Sequence, residues 1–560
     1  MGYFRNLRAA ISILAAAGTM TGTAIVAAVV AAPANAQGAI YYPASLCDKF
    51  CDGRDPAQAA GDRIGATDSF DSGVVVRLHF DDADNMAWAS IDGGTPGDQA
   101  WLDRSFDGGY DWSPYGSRLG NTSIPNGETG WRTLMYNLDE FSSSRPLEGV
   151  VRACGSVGST ISCTPWARTT QNAANNQRAA ATALMEFYDI GNGGGQIGAG
   201  GSQQFIRYTV GSQGNSSWWM TANDLTAIID NIKITGMASY EPFINWIYSA
   251  NWPARVNGDE FGDFKNDFVD DTGWWAMAWI DAYQLTGDSV YLTTAEDDAN
   301  YMNSFWDSTC GGGVWWSTAK NYKNAIANEL DLYVNAALHN LIPGDTTYLT
   351  QAENEWTWFS ASGMINSSNL INDGLLNGTC ANNGQTTWTY NQGVILEGLA
   401  ELYKATGNTA YLTSAETLAN ASTTAATLNP VSATAPQGEL SEPANAKGND
   451  PANQNAPMFK GAYIRGLSEL NTVIAAADDT SAGPYSCYLN RESAVAYLND
   501  RNPADQYGYY WAGPWSSTAQ NGPDQPTSGQ QGSALFLANA GPAFTSPSDP
   551  AVTTALDCTS

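Results

Sequence analysis

Leu285-Thr-Gly-Asp-Ser-Val-Tyr-Leu-Thr-Thr-Ala-Glu296 returns as Ile342-Pro-Gly-Asp-Thr-Thr-Tyr-Leu-Thr-Gln-Ala-Glu353 and as Ala405-Thr-Gly-Asn-Thr-Ala-Tyr-Leu-Thr-Ser-Ala-Glu416, with a shorter echo in Ile234-Thr-Gly-Met-Ala-Ser-Tyr240. The glycines at 236, 287, 344 and 407 are 51, 57 and 63 residues apart. Each copy reads as the corner of an αα-hairpin. A left-handed glycine ends one helix, Asp or Asn starts the next, and Tyr-Leu lays that second helix on the first. An earlier helix over Gln177–Tyr188 and helical texture near 458–474 and 488–500 bring the total to about six hairpins. Such hairpins either stack as an open solenoid or close as a ring. The drifting spacing suits long loops at one end of a closed α/α toroid, where loops on a rigid scaffold build sites.

Outside the hairpins the texture differs. Residues 37–170 are β-rich: Val74-Val-Val-Arg-Leu-His-Phe80 is strand-like, and Gly-rich turns punctuate the rest. Ser105-Phe-Asp-Gly-Gly-Tyr-Asp-Trp112 resembles an Asp-box, a structural hairpin turn. Trp88, Trp131 and Trp166 suit either core or a sugar platform, so this sandwich-like region is an expected accessory module. Residues 1–36 read as a secretory signal, with Arg5 and Arg8 before an apolar stretch and Ala34-Asn35-Ala36 as a cleavage site. The mature chain is therefore expected outside the cell, with no stable membrane insertion. Residues 428–456 read as a long loop, and the tail 544–560 as irregular.

Composition narrows the chemistry. A formal charge of −31 over 560 residues argues against nucleic acid and acidic membranes as partners. Only 14% of residues are charged, whereas Trp and Tyr, which stack on sugars, number 20 and 26. With two histidines, His79 and His339, acid–base work falls to carboxylates and a histidine metal site is not expected. Eight cysteines suit an oxidising compartment. Cys47/Cys51 and Cys154/Cys163 are close enough to pair locally, while the connectivity of Cys310, Cys380, Cys487 and Cys558 stays open.

The helix ending at Gly287 opens with Phe268-Val-Asp-Asp-Thr-Gly-Trp-Trp-Ala-Met-Ala-Trp279. Adjacent carboxylates repel, so a fold gains nothing by aiming Asp270 and Asp271 into one cavity. The plain alternative is an acidic first turn favoured by the helix dipole. Two acids about 5 Å apart in one cavity are what a retaining glycosidase needs, one to attack the anomeric carbon and one to protonate the leaving oxygen. Sixteen residues before the glycines at 287, 344 and 407 stand Asp271, Asn328 and Asn391. Polar residues thus recur near the starts of three otherwise apolar helices, as helix caps or as parts of one shared mouth.

The ordered motifs resemble glycoside hydrolase family 76, the α-1,6-mannanases, over about residues 171–543. They are Trp218-Trp219 with Ala222-Asn223 and Leu225, Asp270-Asp271 with Trp274-Trp275, Gly312-Gly-Val-Trp315, and Tyr322-Lys-Asn-Ala-Ile-Ala-Asn328. They continue with Thr389-Tyr-Asn-Gln-Gly393, Gly438-Glu-Leu-Ser-Glu442, and Phe459-Lys-Gly461 with Arg465. The resemblance implies a mainly α fold, an (α/α)6 toroid after the β-rich domain, and endo-acting, retaining hydrolysis of α-1,6-mannan by a monomer. It makes Asp270 the nucleophile and Asp271 the general acid/base, with no metal or organic cofactor. The substrate-binding set it implies is Trp218, Asn223, Trp274, Trp275, Trp315, Asn324, Asn328, Tyr390, Asn391, Gln392 and Lys460. The rival readings are cell-wall transglycosylation by the same acids and a non-catalytic mannan-binding protein.

Overall fold

The computed structural model describes residues 52–59, 61–82, 86–105, 118–138, 150–169, 175–188, 216–236, 240–252, 262–443, 455–502, 505–515 and 527–558. The signal segment, the Asp-box beyond Ser105 and Cys47/Cys51 lie outside the described residues.

Alternating burial builds the N-terminal sheets. β1 (Arg63–Ser69), β2 (Val75–Asp81) and β3 (Met86–Asp92) pair in order, and β6 (Gly130–Arg132) and β7 (Tyr136–Asn137) both pair with β3. The second sheet runs β5 (Arg118–Ser123), β4 (Gln99–Ser105), β8 (Val150–Val157), β9 (Thr160–Cys163). All these pairings are antiparallel. Val76, Leu78 and Phe80 share one apolar core with Ile91, Leu102 and Val151, which makes the two sheets a sandwich. Trp88 is buried and stacks on His79, and the Arg152 guanidinium covers the Trp166 ring. Met86, Trp88 and Met135 join the apolar cluster of the helices, so residues 42–560 form one unit.

The helices alternate inward and outward. After α1 (Asn176–Tyr188) come α2 (Trp218–Thr235) with α3 (Glu241–Asn251), α4 (Val269–Thr286) with α5 (Ser289–Asn303), and α6 (Ala325–Leu341) with α7 (Thr347–Ala361). Then follow α8 (Thr389–Thr406) with α9 (Thr409–Thr424), α10 (Ala456–Ala477) with α11 (Ser486–Asn499), α12 (Ser528–Ala540) and the short α13 (Pro550–Leu556). Each even-numbered helix through α12 packs on the next, and α12 returns to α2, so six inner helices close a ring. α1 packs on α12 and α2, which joins the chain's beginning to its end. The seam is hydrogen-bonded: Asn176 N–H donates to Phe544 O (2.9 Å), and Phe544 N–H to Asn176 Oδ1 (2.6 Å).

The repeat chemistry is visible at the corners. Gly236, Gly287 and Gly407 cap α2, α4 and α8 with φ of 68°, 71° and 68°. Asp288 Oδ1 and Asn408 Oδ1 each accept the second amide of the following helix at 3.1 Å. Tyr291 is buried and stacks on Trp279. The third copy departs from the pattern. α6 is capped by Ile342 in an extended conformation, because Pro343 disfavours a helical residue before it, and Gly344 lies in the turn beyond. The inner helices also need a close approach. A Cβ on Gly466 would sit 2.1 Å from Gly393 O, so α10 meets α8 glycine to glycine.

Beyond the helical texture read near 488–500, α12 completes the ring. One expectation changes: the tail is not irregular throughout. α13 carries Val552 and Ala555 into a small apolar cluster with Phe544, and Cys558 is bonded to Cys487. The other disulfides among the described residues are Cys154–Cys163 and Cys310–Cys380.

Candidate active site

Because the inner helices are all traversed in one direction, their N-terminal turns meet at one mouth. Five of them contribute to a single cavity of about 360 Å³: Trp219 from α2, Asp270, Asp271 and Trp274 from α4, Asn324 before α6, Tyr390 from α8, and Asn455 and Phe459 at the start of α10. Loops add Phe268, Trp316, Tyr322 and Asp373. The volume falls in the range of small-ligand sites.

Asp270 and Asp271 occupy the first turn of α4, and both open into this cavity. Asp270 Oδ2 accepts from Trp316 Nε1 at 3.0 Å, and its Oδ1 from the Asp271 amide at 3.1 Å. Asp271 Oδ2 accepts from Asn266 Nδ2 at 2.7 Å. Asn266 is itself fixed: its Oδ1 accepts from Phe268 N–H at 2.8 Å, and its carbonyl from Tyr301 Oη at 2.8 Å. Burial and then the charge on Asp271 push Asp270 well above the usual carboxylate range, against the donors from Trp316 and the Asp271 amide. Burial pushes Asp271 up to about 7, against the Asn266 donor. Two adjacent carboxylates in one part-buried site do not both ionise cheaply, so the pair titrates as a coupled unit. Asp270 accepts from two donors and Asp271 from one, yet burial and the neighbouring charge push Asp270 higher than Asp271.

Aromatic rings wall the cavity. Tyr390 stacks on Phe459 at 3.9 Å between centroids, Trp219 leans on Trp274 at 5.7 Å, and Trp219 Nε1 donates to Asn455 Oδ1 at 3.1 Å. A third acid, Asp373, accepts from Tyr322 Oη, which in turn accepts from Asn383 Nδ2 at 2.8 Å.

Of the residues expected from the sequence, Asp270, Asp271, Trp274, Asn324 and Tyr390 come together here. The others do not line the cavity. Trp218 and Trp275 pack together with Phe264 in the core, because consecutive helix residues point in different directions. Asn223 is buried and donates to Trp219 O at 3.1 Å. Trp315 donates to Asp307 Oδ2 at 2.8 Å. Asn328 accepts from Val314 N–H at 2.7 Å and donates to Val314 O at 3.1 Å, pinning the loop that carries Trp316. Gln392 does the same for Ile371, accepting at 2.8 Å and donating at 2.9 Å. Asn391 is fully buried, and Lys460 Nζ donates to Tyr509 O at 2.6 Å. The shared register thus fixes depth along the helices, while the azimuth of each side chain decides whether it reaches the cavity.

Asn266, Trp316 and Asp373 escaped the sequence reading. Trp316 follows a quoted motif by one residue, and Asp373 sits in a loop between hairpins where no periodicity guides the eye.

Comparison with known proteins agrees with this geometry. Glycosyl hydrolase family 76 matches residues 172–547, more than half of the chain. The mannan endo-1,6-alpha-mannosidase DFG5 of Saccharomyces cerevisiae is 25% identical over 241 residues, 40% of this chain and 50% of that protein. DFG5 of Candida albicans is 30% identical over 168 residues, 27% of this chain and 37% of that one. The chain thus spans about half the length, or less, of these curated relatives. Among solved structures, an inactive variant of the alpha-1,6-mannanase GH76A of Salegentibacter sp. HEL1_6 in complex with alpha-1,6-mannotetrose aligns with a TM-score of 0.51 at 21% identity, over 65% of this chain and 97% of that one. A family 76 glycoside hydrolase from a bovine Bacteroides thetaiotaomicron strain aligns with a TM-score of 0.51 at 17% identity, over 81% and 95%. At these identities the structural likeness speaks to the fold, and the family match covers the ring that builds the mouth: the chain belongs to glycosyl hydrolase family 76.

Proposed function

We propose that this chain is a secreted endo-acting α-1,6-mannanase that works with retention through Asp270 and Asp271. The observation that carries the reading is the pair itself: two adjacent carboxylates, both opening into one aromatic-walled cavity, with unequal donors. Asp270, charged and held by Trp316, attacks the anomeric carbon. The glycosidic C–O bond breaks as Asp271 gives its proton to the leaving oxygen. Asp271 then takes a proton from water as that water's oxygen displaces Asp270 from the anomeric carbon. Trp219, Trp274, Tyr390 and Phe459 offer ring faces to sugars, and Asp373 and Asn324 offer groups for hydroxyls. The inactive Salegentibacter variant has two adjacent aspartates replaced by alanine, which supports giving the chemistry to such a pair.

The test is digestion of linear α-1,6-mannan by the purified chain, with products sized over time and the first-formed anomer read by proton NMR. Short α-anomeric oligosaccharides at early times are the expected result. Mannose alone would mean exo action, and β-anomers would remove the covalent step. Intact polymer retained on the protein would leave only binding.

A further inference from the structure

Lys323 precedes α6 and is almost fully buried, yet its ammonium is not left to a single counter-ion. Nζ donates to Asp307 Oδ1 (2.9 Å) and lies within hydrogen-bond reach of four carbonyls: Asp307 (3.3 Å), Thr309 (2.8 Å), Gly312 (2.6 Å) and Gly313 (2.8 Å). The faces of Trp315 and Trp358 lie 4.9 and 5.9 Å away. Five acceptors around three protons is the surrounding of a coordinated cation. The loop is shaped for it: Cys310, Gly311, Gly312 and Gly313 all have positive φ, and a Cβ on Gly313 would sit 2.3 Å from the Trp358 ring. Without a cation at the centre, these inward carbonyls would face one another.

The wrapped loop leads directly to the catalytic pair. Asn328 holds Val314 by both backbone groups. Two residues on, Trp316 donates its amide to Tyr322 O (2.9 Å), accepts from Val269 N–H (2.8 Å), and puts Nε1 on Asp270. We propose that Lys323 is a positioning residue for catalysis: its ammonium organises loop 307–316 and thereby seats the Trp316 N–H against Asp270. This rests on Asp270 being the nucleophile. Burial lowers the proton affinity of Lys323, and Asp307 works against that.

The test compares wild type, Lys323→Met, Asp307→Asn and Trp316→Phe in the full chain. One readout is the pH profile of kcat/KM on linear α-1,6-mannan. The other, which needs no turnover, is the pH titration of tryptophan fluorescence, in which Trp316→Phe identifies the transition belonging to Trp316 and Asp270. Losing the Trp316 donor destabilises ionised Asp270, so its proton is lost at higher pH. In Lys323→Met we expect kcat to fall about a hundredfold with KM within about threefold. We also expect the acid limb to move up by about one pH unit, as in Trp316→Phe, and the fluorescence transition, absent from Trp316→Phe, to move with it in Lys323→Met. Asp307→Asn, at a part-exposed carboxylate, gives a smaller shift of the same sign and serves if Lys323→Met does not fold. A folded Lys323→Met with both readouts unmoved would overturn the proposal, as would Asp307→Asn unmoved where Lys323→Met does not fold. Wild type inactive on mannan but with a fluorescence transition that shifts as described would sink the mannanase reading and leave the positioning role standing.

Discussion

The two ends of α4 treat the same side chain in opposite ways. At the N-terminal end Asp270 and Asp271 face a cavity with no cation among the described residues that line it, and both are pushed up. Three turns on, Asp281 is more deeply buried, and burial alone would push it up too. There Arg465 Nη2 (2.6 Å) and Lys233 Nζ (2.5 Å) together outweigh that cost and hold it below the usual carboxylate range. Arg465 also reaches Asp230 (3.0 Å) and Glu397 (2.8 Å), so one guanidinium ties α10 to α2, α4 and α8. The cations do not offset the cost everywhere: burial pushes Glu397 up to about 8 and raises Asp230 as well, against the Arg465 charge. The inner helices all end at this lower mouth, where their dipoles favour cations. The lower end uses charge to hold the ring together, while the upper end leaves charge unsatisfied and available for chemistry.

The largest effect should come from the upper end. Asp270→Asn and Asp271→Asn should each lower kcat on α-1,6-mannan by about a thousandfold or more, with circular dichroism and the unfolding midpoint preserved. Activity within tenfold of wild type in either variant would remove that residue from the mechanism. The lower end should respond in stability instead. Arg465→Met leaves Glu397 buried without its cation and Asp281 with Lys233 alone, and removing one member of such a buried pair costs ~3–5 kcal/mol. Urea unfolding should show that loss, while kcat of the remaining folded enzyme at low temperature stays within about threefold. Activity lost with stability intact would erase the division of labour between the two mouths.

That division also marks how far the sequence could be read. The repeat around Gly287 and Gly407 carries its own physics, a left-handed cap and an Asx start, so the hairpins and their number were legible. Adjacent acids also stand at 81–82, 297–298 and 478–479, so Asp270 and Asp271 were legible by their place before Trp274-Trp275 at the start of a repeat helix. What was hidden depended on azimuth and on loops. Trp274 and Trp275 are neighbours in sequence, yet one lines the cavity and the other is core. Asn328 and Gln392, polar residues at helix starts, hold loop backbone rather than cavity surface. α12 was missed because Ser528-Gly-Gln-Gln-Gly-Ser533 looks like linker. Its Thr527–Gln530 capping box and its place in the seam make it helical nonetheless.

A smaller effect separates the ends by pH. Asp271 is raised to about 7 in the folded chain, against about 3.9 in an unfolded one. Below pH 4 both forms are protonated and the carboxyl costs nothing. As pH rises toward 7 the unfolded state ionises first, and stability falls by up to ~1.4 kcal/mol for each pH step of one between those two values. Asp271→Asn cannot ionise. Its unfolding midpoint relative to wild type should therefore climb between pH 4 and 7 and level off above. Asp281→Asn should do the reverse, losing most at neutral pH, where the wild-type ion pairs are intact. A flat difference for Asp271→Asn would mean that its charge is solvated in the native state.

The finest cut lies between the two adjacent tryptophans. Trp274 shares the cavity with the acids, whereas Trp275 is fully enclosed by Trp218, Phe264 and Trp279. Phenylalanine at 274 keeps an aromatic face but shortens it, so KM for mannan should rise about tenfold or less, roughly 1 kcal/mol of stacking, with the unfolding midpoint nearly unchanged. Phenylalanine at 275 vacates part of a closed aromatic cluster and should cost about 1–3 kcal/mol of stability, leaving KM alone. Among the described residues Trp275 Nε1 has no hydrogen-bond partner, so the loss expected there is packing. If KM moved with Trp275 and not with Trp274, the floor of the sugar site would have to be sought deeper in the ring, on the side of Phe264.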